Sequence, residues 1–193
     1  MKILTFGEIM LRLKTPDHLR IVQTDGFEAS YGGAESNVAV SLATLGDDAA
    51  FVTKLPKNPV GDAAFNELRR YGVDTSRILR GGPRLGIYYF EKGSDIRPTN
   101  VLYDRAGSAL AEADAGEFDW KALLDGVDIF FFSGVTPAIS TSVEQAVRDA
   151  LQYCHAHGIT VICDLNYRTK MWSREKAQSV MKELMQYVDL CIA

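Results

Sequence analysis

The 193-residue sequence predicts an α/β fold: a mostly parallel sheet with helices on both faces, plus a small β lid. Three observations predict it. Strand-length apolar runs alternate with amphipathic stretches over residues 2–74 and again from Asp119 onward, the rhythm of parallel strands joined by helical crossovers. Ile129–Phe132 is short and continuously apolar, and Ile159–Cys163 is apolar but for Thr160, as strands covered on both faces are. Between the two alternating blocks, residues 78–105 carry strand signals and no helical period.

The elements follow in order. Lys2 to Met10 reads as a first strand interrupted by Gly7-Glu8, and Leu11 to Lys14 continues it with apolar–polar alternation. A glutamate within a buried strand needs a partner or a ligand, and Arg12 is one candidate partner. Residues 21–31 form a weaker strand. Gly32-Gly33 then opens a helix whose Val38, Leu42 and Leu45, with Ala39 and Ala43, make one packed face ending at Gly46. A glycine pair before a helix admits a ligand close to the backbone, where the free N–H groups of the first turn favour anions or hydroxyls.

Ala49–Thr53 is the next strand. Gly61-Asp62 leads into a helix with Ala64, Leu68 and Tyr71 on one side. In the β-only block, Tyr88 and Phe90 share one face of a strand and Ile87 and Tyr89 the other. With Asn100–Arg105 this makes a hairpin standing off the main sheet, and lid strands are expected around 12–31 and 78–105. Its tyrosines serve equally well as core or edge residues. Thr141–His157 is the clearest helix, with Val143, Ala146, Val147, Ala150, Leu151 and Cys154 at i, i+3, i+4 spacing and Gly158 as its stop. Ser173 caps a last helix with Ala177, Val180, Met181, Leu184, Met185 and Val188 inward, and Asp189–Ala193 begins a further strand.

Composition excludes several classes. A net charge of −4 with scattered basic residues leaves no nucleic-acid footprint, and no apolar run approaches the ~20 residues of a membrane span. Cys154, Cys163 and Cys191 are odd in number and lie in or beside apolar runs. They read as reduced core residues, pointing to a cytoplasmic protein. There is no Gly-x-x-x-x-Gly-Lys-Ser/Thr loop, no Gly-x-Gly-x-x-Gly, no metal-ligand spacing and no nucleophile elbow. A dinucleotide-dependent dehydrogenase is thereby disfavoured.

In an open parallel sheet ligands bind beyond the carboxyl ends of the strands. Three polar clusters fall there: Glu8, Gly32 to Asn37, and Asp164-Asn166-Arg168. Arginine offers a planar fork for a carboxylate or phosphate. Asp164 and Arg168 also suit each other as a loop-fixing ion pair.

The string Gly-Gly-Ala-Glu-Ser-Asn-Val-Ala at 32–39, with the helix ending Leu45-Gly46, resembles the N-terminal signature of the ribokinase-like, or phosphofructokinase-B, sugar kinases. Gly7-Glu8, Gly61-Asp62, Gly72-Val73, Ser133-Gly134 and Asp164-x-Asn166-x-Arg168 follow in that family's order, so the resemblance covers nearly the whole chain. Within the family, Gly-Ile-Tyr-Tyr, Tyr-Asp-Arg-Ala-Gly-Ser-Ala and Asp-Leu-Asn-Tyr-Arg look like 2-keto-3-deoxygluconate kinases. The resemblance implies an ATP- and Mg²⁺-dependent kinase phosphorylating the terminal hydroxyl of a small-molecule sugar acid. Gly33, Ala34, Glu35 and Asn37 would touch the hydroxyls, Tyr88 and Tyr103 would reach in from the lid, and Arg105 and Arg168 would hold the acid end. Glu8, Asp164 and Asn166 complete the expected site. It further implies a possible homodimer through the lid strands.

One departure from the family matters. Its catalytic aspartate lies on a Gly-Ala-Gly-Asp run opening a C-terminal helix, and residues 1–193 contain no such run. The chain is therefore expected to be the N-terminal part of one such domain, without the ATP-binding part, without a catalytic residue, and inactive alone. A fructokinase or ribokinase acting on a neutral sugar, and a non-catalytic sugar-binding chain, are the alternatives.

Overall fold

A computed structural model describes residues 1–193. The chain begins with β1 (Lys2–Phe6), in which Leu4 and Phe6 point to one face and Ile3 and Thr5 to the other. Glu8 turns it out of the main sheet, and β2 (Met10–Lys14) lies in a separate one. The weak 21–31 segment is mostly turn, with β3 only at Glu28–Gly32. Then come α1 (Ala34–Leu45), β4 (Asp48–Val52), β5 (Lys54–Leu55), α2 (Pro59–Arg70) and β6 (Leu79–Arg80). The β-only block supplies β7 (Ile87–Glu91) and β8 (Asn100–Asp104). Alternation resumes with α3 (Trp120–Leu123), β9 (Ile129–Ser133), α4 (Thr141–His157), β10 (Thr160–Asp164), α5 (Arg174–Leu184) and β11 (Leu190–Ile192).

Five strands in the order β11-β10-β9-β1-β4 pair in parallel. Their alternate residues feed two cores. Leu4, Phe6, Phe130, Phe132, Val161 and Cys163 pack on α4 and α5, whereas Phe51 joins Ala39, Ala64 and Leu68 on the side of α1 and α2. Helices thus cover both faces, as the alternation predicts. α4 matches its expected bounds: the Ser140 hydroxyl accepts from the Val143 N–H, Gly158 ends it, and all six expected apolar positions are fully buried.

The second sheet has the order β3-β2-β7-β8. Its outer pairs β2–β3 and β7–β8 are antiparallel, and β2–β7 is parallel. It is the predicted lid, standing over the carboxyl ends of the parallel strands, except that β6, at the start of the expected 78–105 span, pairs with β5 in a separate two-stranded sheet.

Three further expectations need correction. In α1 the buried residues are Glu35, Ser36 and Ala39, while Val38 and Leu42 are half-buried and Leu45 is 81% exposed. The packed face turns toward β1 and β4 at the first two turns only, because polar partners inside the fold hold Glu35 there. Tyr71 lies past the end of α2 and is exposed. Cys154 and Cys163 are buried, and burial pushes the Cys154 thiol up to about 12. Cys191, however, sits exposed on edge strand β11. No helix is long and apolar enough to cross a membrane.

Candidate sugar-binding site

Two glycines let three chain segments meet at the foot of the lid. A Cβ on Gly33 would collide with the Glu8 carbonyl, and one on Gly7 would collide with the Glu35 carboxyl. With hydrogen at both positions, the turn after β1 and the start of α1 lie in direct contact. Above this contact, an open cavity of about 1000 Å³ separates the lid from the loop after β10.

Of the expected site residues, Gly33, Ala34, Asn37, Tyr88, Tyr103, Arg105, Asn166 and Arg168 line this cavity. The lid tyrosines stand side by side, since Tyr88 and Tyr103 are cross-strand partners with ring centres 5.8 Å apart. Burial raises the Tyr88 phenol above its ordinary range, against an opposing pull from the Arg12 charge. Its hydroxyl is therefore a neutral donor. Asn166 adopts a left-handed backbone at φ 34°, a conformation asparagine tolerates better than most residues. The turn is fixed by its own N–H, which donates to Asp164 Oδ1 at 3.0 Å.

Glu35, Glu8 and Asp164 do not line the cavity, and each has another place. Glu35 is 1% exposed beneath the helix start. Ser133 donates to its Oε1, and Thr136 Oγ1 lies 2.8 Å from the same oxygen. Burial outweighs these bonds and raises the Glu35 carboxyl above its ordinary value of 4.5. A group so enclosed cannot touch a sugar hydroxyl as expected; it ties α1 to the end of β9 and the turn that follows. Glu8, 4% exposed, takes Arg105 as its partner rather than Arg12. Arg105 Nε and Nη2 both donate to Glu8 Oε2, and Ser108 donates to Oε1. Asp164 binds its own loop and makes no ion pair with Arg168.

The cavity also brings in residues the motifs did not single out: Arg12 from β2, Phe90 from β7, and Lys170 and Met171 from the loop after β10. Lys170 Nζ donates to the Val101 carbonyl at 3.0 Å, and Arg105 Nη1 lies 3.2 Å from Met171 Sδ, so this loop touches the lid across the cavity mouth. Strand alternation was the available signal, since Arg12 and Lys14 oppose Leu11 and Leu13. The cavity is thus lined by four cationic side chains, Arg12, Arg105, Arg168 and Lys170, and by no carboxylate.

A family model described as pfkB family carbohydrate kinase matches residues 1–193. The chain belongs to the pfkB family. A 2-dehydro-3-deoxygalactonokinase from Haloferax volcanii is 40% identical over 192 residues, spanning 100% of this chain and 60% of that relative. The crystal structure of a 2-dehydro-3-deoxygluconokinase from Thermotoga maritima superposes with a TM-score of 0.97 at 55% identity, covering 99% of this chain and 59% of that one. A pfkB family carbohydrate kinase from Listeria grayi gives 0.97 at 36% identity over 100% of this chain and 60% of its own. The pfkB chain described here therefore spans about 60% of the length of the relatives it matches. Residues 1–193 bring together no group of three or more His, Cys, Asp or Glu side chains able to hold a metal ion.

Proposed function

We propose that this chain forms the sugar-acid-binding part of an ATP-dependent kinase that phosphorylates the terminal hydroxyl of a 2-keto-3-deoxy sugar acid, 2-keto-3-deoxygluconate first. The observation that carries the reading is the charge of the cavity wall: four cations and no carboxylate. A neutral sugar needs none of that charge, whereas a carboxylate entering a part-desolvated pocket gains most from cationic donors. Gly33, Asn37 and Asn166 offer amide and backbone groups for hydroxyls, and the tyrosines supply neutral donors and apolar ring faces. The names of the similar proteins point the same way, with the gluconate and galactonate epimers both represented. The two substrates differ in the hand of one hydroxyl, so the proposed order between them rests on the 55% identity to the Thermotoga protein.

Phosphoryl transfer needs a base, a nucleotide site and electrostatic relief for the transferred group. The Gly-Ala-Gly-Asp run that supplies the base in this family does not occur in residues 1–193. In our reading this chain binds and orients the sugar acid, and transfer from ATP with Mg²⁺ requires that further part. The test is ATP-dependent turnover by a protein spanning the relatives' full length. We expect kcat/KM for 2-keto-3-deoxygluconate to exceed that for fructose and ribose by at least about 100-fold, the worth of one or two charge-assisted bonds. Equal turnover of a neutral sugar contradicts the reading. We also infer that the lid pairs two copies through its far end, where Val22 and Ile96 are exposed. Sedimentation should then give twice the chain mass, and Ile96→Asp should shift it to monomer.

A further inference from the structure

We propose that Glu8 is a positioning residue: from beneath the cavity it holds one edge of the Arg105 guanidinium, so that the other edge is presented to the substrate carboxylate. This rests on the sugar-acid reading above, in which Arg105 and Arg168 hold the acid end, and assigns a task within it. A guanidinium is planar and carries its five N–H donors along two usable edges, Nε with Nη2 on its side and Nη1 with Nη2 at its end. In Arg105 the side edge is spent. Nε donates to Glu8 Oε2 at 2.9 Å, and Nη2 donates to the same oxygen. The end edge keeps both Nη1 donors and the second Nη2 donor. What Nη1 meets there is Met171 Sδ at 3.2 Å. A thioether is a weak acceptor, and a carboxylate in its place would make two charge-assisted bonds.

Glu8 is seated so that it serves Arg105 and not the ligand. It is buried and does not line the cavity, whereas Arg105 does. Ser108 donates to its other oxygen, Oε1. A Cβ on Gly86 would stand 2.9 Å from that Oε1 and 3.4 Å from the Glu8 carboxyl carbon, so hydrogen at position 86 makes room for the group. An anion entering the cavity therefore meets N–H groups first and the Glu8 charge only behind them.

The backbone that carries Arg105 is fixed as well. Arg84 donates Nη1 and Nη2 to the two Asp104 carboxylate oxygens at 2.8 Å each. The same two nitrogens reach the Asp104 and Ala106 carbonyls at 3.0 and 3.3 Å. Arg105 is thus held at its root by Arg84 and at its head by Glu8. A long side chain so held has given up its rotamer freedom before the ligand arrives, which favours binding by an already aligned fork.

The test compares turnover of 2-keto-3-deoxygluconate with that of 3-deoxyfructose, the same carbon chain with a hydroxymethyl group in place of the carboxylate. The protein spans the relatives' full length, and the readout is the acid-to-neutral ratio of kcat/KM. A pair that only stabilises the fold lowers both rates together and leaves this ratio alone. We expect Glu8→Leu, which removes the acceptor, to lower the ratio by about 10- to 100-fold. Glu8→Gln keeps an oxygen that accepts from the same two donors and should stay within about fivefold of wild type. If wild type prefers the acid and Glu8→Leu leaves the ratio unchanged, or Glu8→Gln falls as far as Glu8→Leu, the assignment falls and the sugar-acid reading stands. If wild type shows no preference, that reading itself fails and takes the assignment with it. Should Glu8→Leu not fold, Ser108→Ala loosens the Glu8 carboxylate alone. A drop in the ratio of about 3- to 10-fold then supports the proposal, and an unchanged ratio overturns it.

Discussion

Removing Arg105 would leave the Glu8 carboxylate in a buried place with Ser108 as its one remaining side-chain donor. Breaking a buried pair from one side costs about 3–5 kcal/mol, and Arg105 Nε and Nη2 are both spent on this bond. We therefore expect Arg105→Met to lower stability by about that amount in urea denaturation. Adding Glu8→Gln should restore much of it, since the uncompensated charge is gone. Glu35 makes a second residue-scale prediction, through pH. Its carboxyl is raised above 4.5 by burial. Below that value it is protonated in both the folded and the unfolded chain, and its contribution to stability is complete. As pH rises through the raised folded value, the fold must ionise an enclosed group and stability falls. Glu35→Gln keeps the shape and removes the charge. Its melting temperature should gain on that of wild type as pH climbs from 4.5 toward neutrality, while a constant gap would show that Glu35 ionises freely.

At the scale of elements, α4 shows where sequence suffices. Its apolar period, Ser140 and Gly158 determine the helix locally, and packing follows the same stripe. Truncating its fully buried Leu151 to Ala should cost about 2–5 kcal/mol, read by the same denaturation, because the surrounding core cannot collapse into the gap. In α1 the same reasoning fails for a physical reason. Glu35 and Ser36 are polar by type, yet Glu35 is buried by hydroxyls from Ser133 and Thr136, 98 and 101 positions away. No local period carries that information, so the helical spacing places Leu45 inward while the fold leaves it exposed. The lid was legible as two strands in a helix-free block. That β2 leaves the main sheet to join them was not, since Gly7-Glu8 reads as an interruption rather than a change of sheet.

For the whole molecule, the site is assembled from both ends of the described chain: β2 and the start of α1, the β7–β8 hairpin, and the loop after β10. Sequence motifs supplied the backbone-proximal half, Gly33, Ala34, Asn37 and Asn166, because glycine pairs and turn-forming asparagine signal close approach. They could not apportion the arginines. Whether Glu8 takes Arg105 or Arg12 is decided only in the fold, where Arg105, 97 residues away in the chain, becomes its neighbour. The central claim is that the cationic cavity selects a sugar acid, and the direct measurement is competition between 2-keto-3-deoxygluconate and fructose for the wild-type chain at two salt concentrations. The account predicts that the acid binds at least about tenfold tighter at low salt, with an advantage that shrinks as salt screens the pair. Fructose binding as tightly as the acid, or an acid advantage indifferent to salt, would contradict it.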